Sequence, residues 1–98
     1  NINMTIKNEV IITKLALKNL KKVPWHIVIK FKTWVDLVEN QGLREVRKIK
    51  SFHDEPLHGD RKGQRSIRLN KGYRAFYIEK PGGDIEFVEV LEVNKHDY

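Results

Sequence analysis

The sequence predicts an α+β domain, with two N-terminal helices packed on one face of a mostly antiparallel sheet of four to five strands. Three observations lead there. Between residues 14 and 42 the apolar side chains recur at helical spacing. After residue 64 the pattern changes to strand-like alternation broken by turn signals. The chain has 98 residues, enough for one core of two packed layers and for a single domain over 1–98.

The polar start, residues 1–7, is expected to be disordered. "NEVIIT" reads as a short strand. Thr13 is placed to cap a helix through "KLALKNLKK", with Leu17 and Leu20 as its apolar side. "VP" breaks that helix, and Pro24 suits the first turn of the next. In "PWHIVIKFKTWVDLVENQG" the residues Ile27, Phe31, Trp34 and Val38 form a stripe, widened by Val28 and Val35. Gly42 stands where helices commonly stop. "LREVRKI" is assigned to a strand of mixed pattern. "SFHDEPLHGDRKGQ" is assigned to a loop carrying Pro56, Gly59 and Gly63. In "RSIRL", Ile67 and Leu69 face one side, Ser66 and Arg68 the other. "NKG" is a turn. "YRAFYIE" and "DIEFVEVLEV" are strands joined by "KPGG" in a hairpin. Two helices cover one side of such a sheet and leave the other open. With Ile67 and Leu69 turned to the helices, Arg68 faces the open side. The last strand brings the terminal residues "NKHDY" beside it.

Composition narrows the chemistry. There is no cysteine, which excludes disulfides and thiolate metal sites. No stretch resembles a signal peptide or a spanning helix, so a cytoplasmic protein with no membrane contact is expected. Lys and Arg number 19 against 13 Asp and Glu, a net charge of +6. The positive charge is concentrated between Arg44 and Arg74, while the final stretch is acidic. A basic middle segment suits a polyanionic partner.

Metal-free cleavage of RNA needs a base for the ribose 2′-hydroxyl, cations for the phosphate and an acid for the departing 5′-oxygen. Histidine serves either proton-transfer role near neutral pH. Arginine offers phosphate a planar fork. Tyrosine stacks on bases and donates a hydroxyl. Arg68, Arg74, His96 and Tyr98, with Glu55 or Asp97, supply all of these. Lys48, His58, Arg61, Lys62, Arg65 and Lys95 are the candidate RNA-binding residues around them. Each has a plainer use. His96 serves equally as a surface histidine, Arg68 and Arg74 as partners of the acids in the last strand, Tyr98 as a core cap, and Glu55 as the partner of a cation in its loop. His53 and His58 lack a third clear ligand, so neither a metal nor a cofactor is expected. "HGDRKGQ" lacks the lysine and hydroxyl of a nucleotide-binding loop.

The order of these pieces resembles the RelE/ParE toxin superfamily, and most closely its RelE- and HigB-type members. The likeness runs from about residue 8 to residue 98. It rests on "EPL" with Gly59, on the "RSIRL" and "YRAFY" strands, and on the terminal tyrosine. The resemblance implies a concave sheet face that binds mRNA in the ribosomal A site and cleaves it without metal, inhibiting translation. Arg68 and Arg74 match positions that contact the scissile phosphate. Glu55 matches a general base of some members. His96, Asp97 and Tyr98 match the C-terminal cluster of acid, base and stacking ring, and Lys95 a basic position before it. His58 stands where related toxins often carry lysine. Asp97 stands where some carry histidine, with the imidazole one place earlier at His96.

The resemblance also implies partners. These are a cognate antitoxin of the helix-turn-helix, HigA-like kind, the ribosome with its mRNA, and operator DNA reached through the antitoxin complex. Two alternatives share the fold: a ParE-like toxin that inhibits gyrase, and a non-catalytic RNA-binding module.

Overall fold

The computed structural model describes residues 7–82 and 85–95. Residues 1–6, within the segment expected to be disordered, lie outside the described residues. So do His96, Asp97 and Tyr98.

The chain is α+β, as the alternating patterns predict. Strand β1 spans Lys7–Ile12 and leads into helix α1, Lys14–Leu20. Thr13 makes the junction. Its Oγ1 accepts from the Ala16 N–H at 3.1 Å, the predicted cap. The same hydroxyl donates to the Leu91 carbonyl at 2.9 Å, which ties the helix start to the sheet. This anchor sets the rotation of α1. Ala16 is the helix's buried residue, whereas Leu17 is 49% exposed. The apolar side expected at Leu17 and Leu20 is therefore corrected. Leu20 packs partly against the core, and the small Ala16 lets the helix approach the sheet.

Helix α2, Trp25–Gln41, begins at Pro24 and buries Ile27, Phe31, Trp34 and Val38, the predicted stripe. It stops at Gly42, whose φ of 88° belongs to glycine. The segment assigned to a strand at 43–49 instead begins with helix α3, Leu43–Val46. Leu43 and Val46 are buried one helical turn apart, so the period there is helical and short. A 3₁₀ turn over Lys50–Phe52 ends at His53, which has left-handed dihedrals of 46° and 53°.

The assigned loop carries a two-residue strand, β2, Glu55–Pro56. It pairs antiparallel with β3, Arg65–Arg68, in the register Glu55 to Ser66 and Pro56 to Arg65. The hairpin strands are longer than their apolar runs suggest: β4 spans Tyr73–Gly82 and β5 spans Ile85–Lys95. Cross-strand hydrogen bonds extend the ladder into "KPG". Among the described residues the sheet order is β1-β5-β4-β3-β2. The β1–β5 pair is parallel and the other pairs are antiparallel.

The helices cover one face. Val10, Ile12, Ile67, Ala75, Tyr77, Val88, Val90 and Val93 pack there with the α2 stripe, and the rings of Trp34 and Tyr77 lie 5.3 Å apart. Burying this face supplies the main driving force for folding. Strand alternation then sends Ser66, Arg68, Arg74, Phe76 and Glu92 to the opposite face. A β-bulge beside Phe76 and Tyr77 interrupts the β4–β5 register there. Among the described residues no helix is long and apolar enough to cross a membrane.

Candidate functional site

Four strand positions build the centre of the open face. Arg68 on β3 stands directly opposite Arg74 on β4. Like charges at opposed positions of an antiparallel pair destabilise it, so this placement works against folding. Arg74 is offset locally. It is only 7% exposed. Its Nη1 donates to Ser66 Oγ at 2.7 Å and lies 3.1 Å from Glu55 Oε1. Ser66 is fully buried and sits opposite Glu55 across β2–β3, which brings both partners to the same guanidinium. Arg68 has no carboxylate partner among the described residues. Arg68 and Arg74 each keep a buried Nε without a hydrogen-bond partner among the described residues. Two guanidiniums with donors to spare, one of them held by Ser66 and Glu55, form an anion-binding arrangement.

Glu55 connects this pair to the loop before it. Its Oε2 lies 3.5 Å from His53 Nε2. His53 takes left-handed dihedrals at the end of the 3₁₀ turn, two residues before Glu55. Glu55, Leu57, Arg61, Ser66, Arg74 and Phe76 line a cleft of about 350 Å³. Arg61 lies over Phe76, with its Cζ 4.1 Å from the ring centroid. It donates to Gln64 Oε1 at 2.8 Å and forms an ion pair with Glu92. Asn94 also donates to Glu92.

The other predicted RNA-binding residues are dispersed. Arg65 belongs to the helix-covered side of β3, opposite Tyr77. Its Nε donates to Asp54 Oδ1 at 2.6 Å, and the Tyr77 hydroxyl donates to the other Asp54 oxygen. Burial pushes the Tyr77 phenol well above its ordinary range, and the bond to Asp54 adds to this. Lys48 follows α3 and pairs with Glu45 at 3.0 Å. His58 and Lys62 are exposed on either side of the Gly59–Arg61 turn. Lys95 ends β5 opposite Tyr73, at one edge of a smaller hollow that includes Lys22 and Asn94. His96, Asp97 and Tyr98 lie outside the described residues.

Ser66, Phe76, Gln64 and Glu92 were not among the sequence candidates. Alternation already put Ser66 beside Arg68, and the same period puts Phe76 on the face of Arg74. The contacts of Gln64 and Glu92 depend on the fold of the loop at 57–64, which no local pattern announces.

This backbone is similar to those of several solved toxins. The YoeB/ParE toxin from Agrobacterium tumefaciens matches with a TM-score of 0.70 at 18% identity, over 91% of this chain and 99% of that one. The RelBE2 toxin–antitoxin complex from Mycobacterium tuberculosis gives a chain with a TM-score of 0.67 at 22% identity, over 93% and 100%. A chain of the DinJ–YafQ toxin–antitoxin complex from E. coli gives 0.66 at 20%, over 93% and 94%. No protein-family model matches the sequence, and no curated protein matches it either. The chain therefore has the fold of the RelE/ParE-type toxins, in agreement with the resemblance of its motifs.

Proposed function

We propose that this chain is the toxin of a type II toxin–antitoxin module, a single-domain, cytoplasmic endoribonuclease that cuts mRNA in the ribosomal A site without a metal. The observation that carries this reading is the opposed pair Arg68 and Arg74 on the open face, with Glu55 bound to one of them. An arrangement that repels itself is retained where an anion is to be bound. Arg68 and Arg74 neutralise charge growing on the scissile phosphate. Glu55, whose carboxyl is oriented by Arg74, takes the 2′-hydroxyl proton. Ser66 holds the Arg74 guanidinium in place. His96, Asp97 and Tyr98 supply the leaving-group acid and the stacking ring. They follow Lys95 directly in the sequence. Asn94, just before Lys95, is opposite Arg74.

The solved RelBE2 and DinJ–YafQ structures are toxin–antitoxin complexes. By analogy, a cognate antitoxin of the helix-turn-helix, HigA-like kind neutralises this chain, and their complex binds operator DNA. The ribosome and its mRNA are the other partners. The test is primer extension on mRNA carried by translating ribosomes. Protein added to the reaction is expected to give new 5′ ends within codons. Intact message, with inhibition of gyrase supercoiling instead, would transfer the chain to the ParE-like reading.

A further inference from the structure

We infer that the outer face of the Arg61 guanidinium is a stacking plate for a nucleobase of single-stranded RNA, with Phe76 as the layer beneath it. This rests on the reading of the open face as an RNA site and assigns a distinct job within it. Arg61 would ordinarily be counted as a phosphate contact, but its surroundings argue otherwise. Each terminal nitrogen already donates to a fixed acceptor, Nη1 to Gln64 and Nη2 to Glu92. A phosphate approaching the terminal nitrogens would meet the Glu92 carboxylate already paired there. Glu92 also cancels the local charge and repels an incoming anion. Its own position is fixed by Asn94.

What remains accessible is the plane itself. Phe76 supports one side of it at 4.1 Å, and the Arg61 side chain remains 37% exposed beside the cleft that it lines with Glu55, Arg74 and Phe76. Guanidinium planes and aromatic rings both stack on bases with little preference among them. The ion pair and the ring fix the plate before RNA arrives, so little side-chain entropy is lost on binding. Phe76 lies two residues from Arg74 on β4, about 7 Å along the strand. A single nucleotide reaches from a phosphate at Arg68 and Arg74 to a base at that distance. The site therefore takes the base of the nucleotide whose phosphate the arginine pair holds.

The test uses an uncleavable 2′-O-methyl RNA pentamer carrying 2-aminopurine, titrated with the intact protein at low salt. Wild type is expected to quench the probe, and an abasic residue at that position should weaken binding roughly 5- to 150-fold. Arg61→Lys keeps the charge and loses the plane. It should lose the quench, weaken binding by the same factor and leave the salt dependence unchanged, and the abasic substitution should then cost nothing further. Phe76→Leu should act in the same direction, with thermal melting to verify its fold. Arg61→Lys binding like wild type would overturn the inference, as would a salt slope reduced by about one in Arg61→Ala, the mark of a phosphate contact. A wild-type protein that neither binds nor quenches the pentamer would overturn it too. Because this RNA cannot be cut, the outcome is separate from cleavage on ribosomes, and either result can fail alone.

Discussion

Asp54 and Glu55 are neighbours in the chain, yet each holds an arginine on a different face of the sheet. Asp54 turns inward, with its side chain 1% exposed, and binds Arg65 and the Tyr77 hydroxyl. Glu55 turns outward, is 42% exposed, and binds Arg74. The arginines sit on β3 and β4, and both pairs look alike as a carboxylate beside a guanidinium. Their surroundings separate them. The inner pair closes a buried network beneath the helices, where a lost partner leaves polar groups stranded. The outer pair lines a cleft beside Arg68, which has no carboxylate partner among the described residues, and there the same groups remain open to a ligand. The comparison teaches that an acid–arginine contact is structural or chemical according to which face of the sheet it falls on.

Substitutions at the two acids should therefore fail in different ways. Glu55→Gln is expected to lower mRNA cleavage on ribosomes by about 10²–10⁴-fold, the usual share of a proton-transfer group, while losing less stability than a change at Asp54, because the Glu55 carboxylate is 42% exposed. Wild-type cutting by this variant would erase the distinction. Asp54→Ala should destabilise the fold by about 3 kcal/mol, at the lower end for a broken buried pair because Arg65 stays partly exposed. Urea denaturation measures this, and a loss below about 1 kcal/mol would mean that the inner network contributes little.

A third change sharpens the inner network alone. Folding holds the Tyr77 proton more tightly than the unfolded chain does, since the phenol is raised by burial and by Asp54. The native state then binds more protons once the pH passes about 10, the unfolded tyrosine value. Stability is complete below that pH and falls as the pH rises above it. Tyr77→Phe should flatten this alkaline slope and cost about 1 kcal/mol at neutral pH; an unchanged slope, followed by circular dichroism, would count against the assignment. The smallest effect belongs outside both networks. Trp25 is 73% exposed, and Trp25→Ser should alter stability by no more than about 0.5 kcal/mol.

Much of this division is visible in the sequence, because period-two alternation distributes strand residues between faces. It put Arg68 opposite to Ile67 and Leu69. Applied one step further, it puts Arg65 with Ile67 on the helix side, away from Arg68. The α2 stripe, the Thr13 cap and the stop at Gly42 were likewise legible, since each depends on residues within one or two turns. The helix at Leu43–Val46 was not. Four residues carry too little periodicity to tell a helix from a strand. The rotation of α1 was hidden for another reason. It follows from the Thr13 bond to Leu91, which is remote in sequence. The pairing of Glu55 with Arg74 depends on the β2–β3 register, and two residues of strand leave no pattern. In the candidate site, Ser66 and Phe76 were readable by alternation, whereas the pairing of Glu92 with Arg61 came only with the fold.

The most direct measurement takes Glu55→Gln and Asp54→Asn side by side, recording ribosomal mRNA cleavage and thermal melting on the same preparations. The account expects Glu55→Gln to stay folded, with the smaller drop in melting temperature, and to have lost cutting at least about 100-fold. It expects Asp54→Asn to melt lower and, below its own transition, still to cut. Cutting that survives in Glu55→Gln, or vanishes in a fully folded Asp54→Asn, would contradict it.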